Sequence, residues 1–338
     1  MEFNRYAVKI SISSVFLQYF KPYGLGYFKM KLLSFISTYH AHGKLLLTGE
    51  YLVLHGAKAI ALPLNVGQQM AVSIDSECNS IFWQAFYQNQ VWFSCEFDSV
   101  DFSVLNATDT EKAATLVRIL QAVKSLKPDF SLEPGTSFKT TIEAYPEWGL
   151  GSSSTLLSLL SQFSGVDPFL LNELVFQGSG FDIACATADG PILYQRGLPA
   201  EPVSLDYPFS DQLFLIYLGR KKKTAAEVSS FLNGKIVSEQ LVEEASNMSR
   251  EFLLCRDQDE FNLLIRMHEA MISKLIGKMA LKSMFFADFK GEVKSLGAWG
   301  GDFFLASTNR WSFNEVKKYF ENKGLMTAFK WDDLILKR

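Results

Sequence analysis

The stretch "PEWGLGSSSTLLSLL" at residues 146–160 decides how this chain is interpreted. Five of the six positions from Gly149 to Ser154 are glycine or serine, although the chain is otherwise rich in Phe and Leu. A strand pattern over residues 137–144 precedes them. Apolar residues at helical spacing follow, which predicts a helix beginning near Ser153. The small residues therefore lie in a predicted strand–loop–helix junction.

Such a junction suits an anion. The first N–H groups of a helix lack intrahelical partners and carry partial positive charge, and glycines let a phosphate approach them closely. The stretch is neither a GxxxxGK[ST] loop nor a complete GxGxxG fingerprint. Two interpretations stay open for the stretch alone, a phosphate-binding loop and a tight turn followed by serine caps.

The composition is that of a globular protein, and it narrows the classes of partner. Of 338 residues, 48% are apolar and 20% are charged, with a net charge of -3. Neither nucleic acid nor an anionic membrane would be attracted by the overall charge, and no apolar run reaches the ~20 residues of a membrane span. The four cysteines are scattered, which predicts buried, reduced thiols in a cytoplasmic protein.

The chain before the first clear pattern is an expected extension. Residues 1–29 have a short apolar middle, an early Glu2 and no small-residue cleavage site, so they make a poor signal peptide. A better-patterned stretch opens at Met30. We expect residues 1–29 to lie outside the folded core and to be dispensable.

Strand and helix patterns mix without a βαβ rhythm, which predicts an α+β protein rather than a doubly wound sheet. Two aromatic runs within residues 80–97 predict a hairpin, and residues 111–126 predict a helix with one apolar face. Residues 236–276 predict a long helical stretch. Three prolines in the segment 199–208 mark the best linker.

Four segments, in order, resemble the GHMP kinases, the superfamily of galactokinase, homoserine kinase, mevalonate kinase and phosphomevalonate kinase. "GLGSSS" resembles their phosphate-binding loop. The other three are "HGKLLLTGEYLVLHGAKAIALPL" at 42–64, the acidic segment "QGSGFDIACA" at 177–186 and the glycine-rich "GAWGGDFFLAS" at 297–307. The resemblance runs from about Tyr39 to the C-terminus.

The resemblance implies a role for particular residues. Asp182 would be the catalytic acid or base, with Lys44 paired to it and to the phosphates, so that the carboxylate stays ionised. Ser153 and, less directly, Glu173 would be magnesium ligands. The triphosphate would be lined by Gly149, Leu150, Gly151, Ser152, Ser153 and Ser154. Without the other motifs, Asp182 would be interpreted as a turn or capping aspartate.

The resemblance also implies the architecture and the ligands. It predicts the two-domain α+β GHMP kinase fold, whose N-terminal domain resembles the second domain of a small-subunit ribosomal protein and whose C-terminal domain is ferredoxin-like. The predicted domains are residues 30–205, which bind ATP, and 206–338. ATP and Mg²⁺ are expected, with a small-molecule acceptor, no nucleic acid or membrane partner, and a monomeric or homodimeric state.

The acceptor is suggested by finer features. "GSGFDIA" is more similar to phosphomevalonate kinase than to mevalonate kinase, and it closely resembles the GYDIA family, with Phe181 in place of tyrosine. The loop "GRKKKT" at 219–224 offers Lys221, Lys222 and Lys223 to a phosphorylated acid, although a solvated basic loop is the alternative. Substrate binding is also predicted for Gly300, Gly301 and Asp302.

Departures from the family pattern leave alternatives open. Trp148 either packs or stacks near the nucleotide base. Mevalonate kinase and sugar or homoserine kinases are the other acceptor classes, and diphosphomevalonate decarboxylase shares the fold but usually has a different loop. A non-catalytic relative would be expected to lose Lys44 or Asp182, and the chain keeps both.

Overall fold

The computed structural model describes residues 34–75, 77–219, 237–297 and 302–338. The predictions made for residues 1–29, for Lys221–Lys223, and for Gly300 and Gly301 lie outside these residues. The described chain divides into two compact units. One comprises Gln69–Thr141 with the described residues up to His40, and the other comprises Ala41–Gln68 and Ile142–Arg338. The predicted domain boundary at 205/206 stays a prediction, since these units divide the chain elsewhere.

The first unit is a β-sheet with one helix. Its strands lie in the order β5-β4-β3-β6-β2. The elements are β2 (Ala59–Ile74, whose first part belongs to the other unit), β3 (Ile81–Tyr87), β4 (Gln90–Phe97), β5 (Val104–Ala107), α1 (Thr110–Leu126) and β6 (Thr136–Ile142). On the sheet, Trp83 stacks on Phe138 with ring centroids 4.9 Å apart.

The predicted hairpin and helix of this unit are confirmed. β3 and β4 are joined by Gln88 and Asn89, whose φ values of 47° and 62° suit a two-residue hairpin turn. The Asp109 side chain caps α1 by accepting from the Lys112 N–H. The buried face of α1 consists of Ala113, Leu116, Ile119, Leu120 and Val123, which includes most of the predicted apolar stripe.

The second unit carries every predicted site residue that the structure describes. Here β1 (Ser34–Leu46, whose first part belongs to the other unit) pairs with β2, β2 pairs with β7, and β7 pairs with β8. Five elements follow β6 in this part of the chain: α2 (Ser152–Ser164), α3 (Pro168–Val175), α4 (Phe181–Ala186), β7 (Ile192–Tyr194) and β8 (Glu201–Pro202).

A separate four-stranded antiparallel sheet, in the order β10-β11-β9-β12, completes the second unit. The strands are β9 (Leu213–Tyr217), β10 (Glu292–Ser295), β11 (Phe303–Ser307) and β12 (Ala328–Lys330). The helices are α5 (Glu239–Leu254), α6 (Gln258–Ile276), α7 (Leu281–Phe285), α8 (Phe313–Glu321) and α9 (Trp331–Leu334). The predicted helical stretch 236–276 is two helices, because Asp257 caps a new one by accepting from two backbone N–H groups.

A buried cluster of charged side chains ties distant parts of this unit together. Lys294 of β10 donates to the Glu50 carboxylate at 2.5 Å, and His268 Nε2 of α6 lies 3.0 Å from the other Glu50 oxygen. All three side chains are at most 1% exposed. Burial raises the pKa of Glu50, but Lys294 and His268 together lower it below its usual value. Glu50 is therefore held ionised.

Three further observations bear on the predictions. Cys95, Cys185 and Cys255 are buried, as predicted. Among the described residues, no helix combines the length and the apolar character needed to cross a membrane. Both sheets are mainly antiparallel, so the predicted α+β class is confirmed and a doubly wound sheet is excluded for the described residues.

Candidate active site

The start of α2 is an open backbone cradle. Gly149 and Gly151 have φ values of 68° and 100°, which side chains rarely tolerate, and Gly151 is the N-cap residue. No side chain caps this helix. Its first N–H groups therefore receive no side-chain cap, and the sequence "GLG" is the local cause.

Lys44 of β1 lies against this cradle. Its Nζ donates to the Gly149 carbonyl at 3.3 Å, and its backbone N–H donates to the Leu150 carbonyl at 2.9 Å. A β-carbon at Gly151 would be 3.0 Å from Lys44 Cγ. The structure thus brings together the first two motifs that the sequence predicted to meet, and it adds a cationic group to the helix start.

Asp182 lies in the first turn of α4, which Gly180 begins with a φ of 86° and without a side-chain cap. The Asp182 carboxylate accepts a hydrogen bond from the Ile183 N–H at 3.1 Å. Burial raises the pKa of Asp182 above its usual value, and the nearby Lys44 charge only partly offsets this. Desolvation therefore outweighs the single cation in setting the direction of the pKa shift, and the expectation that Lys44 keeps the Asp182 carboxylate ionised stays a prediction.

Phe181 gives Lys44 a second neighbour. The Lys44 Nζ lies over the Phe181 ring, 5.7 Å from its centroid. A cation above a ring face is attracted by the ring's quadrupole. The residue beside Asp182 in the "GFDIA" segment thus helps to direct the lysine, so the acidic and basic groups share one local scaffold.

The serines of the loop differ in exposure. Ser152 and Ser153 are exposed on the first turn of α2, whereas Ser154 is buried and its hydroxyl donates to the Gly151 carbonyl at 2.8 Å. Thr155 is also buried, and its hydroxyl donates to the Gln68 side chain at 2.8 Å. Ser154 and Thr155 brace the turn, and the two exposed serines face the surface where a ligand would bind.

The third motif reaches the same loop through Asp302. A β-carbon at Gly149 would overlap the Asp302 carboxylate, so the two residues are in direct contact. The Leu218 N–H donates to the Asp302 carbonyl at 2.8 Å, which holds the residue at the beginning of β11. Asp302 is therefore part of the candidate site, and its predicted contact with the acceptor stays a prediction.

Of the two predicted magnesium ligands, the structure places Ser153 at the start of α2 and Glu173 on another helix, α3. Ser153 is at the helix start, but Glu173 lies on the exposed face of α3. Within the described ranges, no three His, Cys, Asp or Glu side chains are grouped to hold a metal ion. Mg²⁺ is commonly held by one or two protein oxygens together with substrate phosphates, and the exposed Ser153 fits that pattern.

Trp148 packs among aromatic rings of its own unit. Its nearest ring is that of Phe329, with centroids 5.3 Å apart, and Tyr217, Phe303 and Tyr145 lie within 6.3 Å. Of the two interpretations left open by the sequence, packing agrees with these contacts. Trp148 is half-buried by this packing.

The described residues of the second unit form a small hollow and a larger one. A small one of about 20 Å³ adjoins the phosphate loop, with Gly43, Leu150, Ser152 and Thr155 in its wall. A larger one of about 340 Å³ lies between residues 203–210 and the C-terminal segment, and no predicted site residue lines it. Two of the predicted site residues, Leu150 and Ser152, line the smaller hollow, so size alone does not identify the site.

Sequence reasoning missed one residue that supports the site. Tyr194 is 2% exposed, and its hydroxyl donates to the Ser179 carbonyl at 2.5 Å, just before Asp182's helix. Nothing in the pattern of β7 distinguishes a tyrosine that anchors a loop from one that fills the core. Only the fold, which brings residues 15 positions apart into contact, reveals it.

Comparisons with known proteins agree with this geometry at the level of fold. No family model matches the sequence, and no curated protein matches it. Among solved structures, Methanococcus jannaschii mevalonate kinase is 17% identical with a TM-score of 0.63, over 89% of this chain and 98% of that chain. Streptococcus pneumoniae phosphomevalonate kinase, solved with phosphomevalonate and AMPPNP, is 15% identical with a TM-score of 0.63, over 87% and 99%.

A sugar kinase gives a similar match. Lactococcus lactis galactokinase, solved with galactose, is 14% identical with a TM-score of 0.61, over 89% of this chain and 93% of that chain. The three enzymes act on different acceptors, so the similarity identifies an architecture rather than a substrate. The predicted fold is confirmed: the chain has the α+β fold of the GHMP kinase superfamily.

Proposed function

We propose that the protein is an ATP-dependent phosphotransferase acting on a small molecule. The observation that carries the proposal is the uncapped start of α2, with the Lys44 ammonium held 3.3 Å from the Gly149 carbonyl. Helix N–H groups and a lysine are what a triphosphate requires, because phosphoryl transfer depends mainly on positioning and on positive charge.

The residues divide the reaction between them. The first N–H groups of α2 bind phosphate oxygens, and Lys44 balances charge where the transferred group is held. The acceptor oxygen attacks the γ-phosphorus, the bond to the β–γ bridging oxygen breaks, and ADP leaves. If the acceptor is a hydroxyl, its proton passes to Asp182; a phosphomonoester acceptor has no proton that must be removed near neutral pH.

Mg²⁺ would neutralise charge on the β and γ oxygens when bound. Ser153 is the residue best placed to hold it, because it is exposed on the first turn of α2. Glu173 is retained as a second proposed ligand from the family pattern. Its side chain is exposed on α3.

The favoured acceptor is phosphomevalonate, in isoprenoid precursor synthesis in the cytoplasm. The support is the "GSGFDIA" segment, the aspartate at position 302 and the basic residues Lys221–Lys223. Mevalonate, a sugar or homoserine are the alternative acceptors, and a decarboxylase or a non-catalytic relative is less well supported.

The test is ATP turnover by the full chain with mevalonate, phosphomevalonate, galactose and homoserine. We expect phosphomevalonate to be used best and Lys44→Met to lose most of the activity. Replacing Lys221, Lys222 and Lys223 with glutamine should raise the KM for the acceptor more than that for ATP. Use of mevalonate or a sugar with phosphomevalonate ignored would overturn the acceptor, and no turnover with any of the four would count against the kinase.

A further inference from the structure

The start of α4 is held in place by one buried hydroxyl, that of Tyr194. The Tyr194 hydroxyl donates to the Ser179 carbonyl at 2.5 Å, and a β-carbon at Gly180 would lie 2.8 Å from the same oxygen. Asp182 follows two residues later, in the first turn. Ser179 and Gly180, the two residues that precede α4, therefore both lie against the Tyr194 hydroxyl.

Tyr194 itself is fixed to the sheet. It lies on β7 opposite Ala59 of β2, and β2 also pairs with β1, which carries Lys44. Its ring is packed with Leu46, Cys185 and other apolar side chains of one cluster. The paired strands β1, β2 and β7 thus connect Lys44 to Tyr194, and the Tyr194 hydrogen bond to Ser179 connects them to the start of α4, which carries Asp182.

The hydroxyl keeps its proton under all ordinary conditions. Burial, with a further contribution from the charge of Asp182, raises the pKa of Tyr194 to about 12. A tyrosine that remains protonated is a permanent donor. Its bond to Ser179 is therefore present at every pH at which the protein would work.

We infer that Tyr194 is a positioning residue for Asp182, an inference that rests on the proposed kinase function. Through Ser179 and Gly180 it sets where α4 begins, and so the place of the carboxylate relative to Lys44. Small displacements of a reacting group are costly: a shift of about 1 Å can reduce a rate by about 10²-fold. The hydroxyl, not the ring, is the part that acts.

The test compares Tyr194→Phe with Tyr207→Phe in the full chain. Tyr207 is a matched control because it is 4% exposed and its hydroxyl donates to a backbone carbonyl, that of Phe252, at 2.9 Å. Each variant loses one buried hydrogen bond. We expect kcat to fall about tenfold in Tyr194→Phe, with a much smaller change in the KM for ATP because the hydrogen bond from Lys44 to the Gly149 carbonyl is untouched, and we expect kcat to be retained in Tyr207→Phe.

A second measurement does not depend on activity. Hydrogen exchange of the peptide 177–186 should quicken in Tyr194→Phe and stay as in the wild type in Tyr207→Phe. If the wild type turns over none of the four acceptors, the proposed function fails, while this exchange result still decides whether Tyr194 fixes the start of α4. Unchanged exchange, or an equal loss of kcat in both variants, would overturn the inference.

A double-mutant cycle sharpens the test. Gly180→Ala places a methyl group against the Tyr194 hydroxyl and should reduce kcat. In a Tyr194→Phe background the same change should cost a smaller factor, because the atom it meets has been removed. Fully additive effects on kcat would contradict contact between the two residues.

Discussion

At the N-terminus of α8, the Ser312 hydroxyl accepts from the Glu315 N–H and the Glu315 carboxylate accepts from the Ser312 N–H at 2.8 Å. At the N-terminus of α2, Gly151 occupies the same position and offers no side chain. A capping box satisfies two N–H groups permanently, whereas a glycine leaves them for another partner. The contrast separates a helix start built for stability from one built for a ligand.

α4 belongs with α2 in this comparison. Its N-cap residue, Gly180, is also a glycine with positive φ and no side-chain cap, and Asp182 follows in the first turn. The helices α1, α3, α5, α6 and α8, by contrast, begin at an Asp or Ser whose side chain accepts from the backbone. The short helices α7 and α9 also lack a side-chain cap, but among the described helices α2 and α4 are the two that begin at a glycine with positive φ, and they carry the predicted chemistry.

Blocking the open start should have the largest effect. Gly151→Val places carbon atoms against Lys44 and Ser154, where the nearest atoms would be 3.0 Å from the β-carbon, and it should abolish ATP binding, measured by calorimetry. Gly165→Val is the matched control at the other end of α2, since Gly165 also has positive φ but no neighbour within 4 Å. It should lower stability by about 1–3 kcal/mol and keep ATP binding. Normal binding by Gly151→Val would reduce the loop to a turn.

Removing the charge at the second open start should have the next largest effect. With a hydroxyl acceptor, Asp182→Asn should lower kcat by about 10²-fold; with a phosphomonoester acceptor the loss should be much smaller. The measurement is kcat on both acceptor types with one enzyme preparation. Equal losses on the two would show that Asp182 acts through charge or position rather than as a base.

The same substitution should alter stability with pH. Because the pKa of Asp182 is raised in the folded protein, its contribution to stability is full below the unfolded pKa and is lost as pH rises through the folded pKa. Asp182→Asn, which cannot ionise, should therefore melt at a higher temperature than the wild type at neutral pH, and the gap should close in acid. A gap that widens on acidification would contradict the direction of the shift.

Replacing Ser153, one of the two exposed serines of α2, should have a moderate effect on turnover. Ser153→Ala removes one oxygen proposed to bind Mg²⁺ and should lower turnover about fivefold, the rate change that corresponds to roughly 1 kcal/mol. Stability should change by less than about 1 kcal/mol, since the residue caps nothing. Turnover measured across a range of Mg²⁺ concentrations would show a raised requirement for the metal, and an unaltered requirement would exclude Ser153 as a ligand.

Removing the filled cap should leave activity untouched. Ser312→Ala breaks the capping box of α8 and should cost about 1 kcal/mol of stability, seen as a lower melting temperature. ATP turnover at low temperature should equal that of the wild type. A loss of turnover without a loss of stability would show that α8 also serves the site, and the comparison with α2 would break.

Much of the contrast between capped and uncapped helix starts could be predicted from the sequence, because a helix start is set by residues close together in the chain. The loop "GLGSSS", the hairpin over 80–97 and the helix over 111–126 are set by residues close together in the chain, and their patterns predicted them. The meeting of Lys44 with the loop was predicted only through the family resemblance, since 105 positions separate Lys44 from Gly149.

What the sequence did not reveal depends on distant contacts and on solvent. Tyr194 and Lys294 are ordinary members of short strands until the fold places them beside Ser179 and Glu50. The direction of the Asp182 pKa shift could not be predicted from the sequence, because it is set by burial, which neighbouring residues in the chain do not reveal, whereas the charge of Lys44 is visible there. Contacts between distant parts of the chain and the desolvation of buried groups therefore could not be predicted from sequence patterns.

The buried pair of Glu50 and Lys294 also has a consequence for how the chain is made. The two residues are 244 positions apart, and the unit that contains them is built from two separated segments of the chain. During synthesis, the Glu50 carboxylate has no buried cation to join until Lys294 has left the ribosome. Contacts of such high sequence separation close late. The buried surroundings of Glu50, close in the chain to the strand that carries Lys44, are therefore complete only after most of the protein has been synthesised. A chain truncated before Lys294 should be a substrate for chaperones rather than a smaller enzyme.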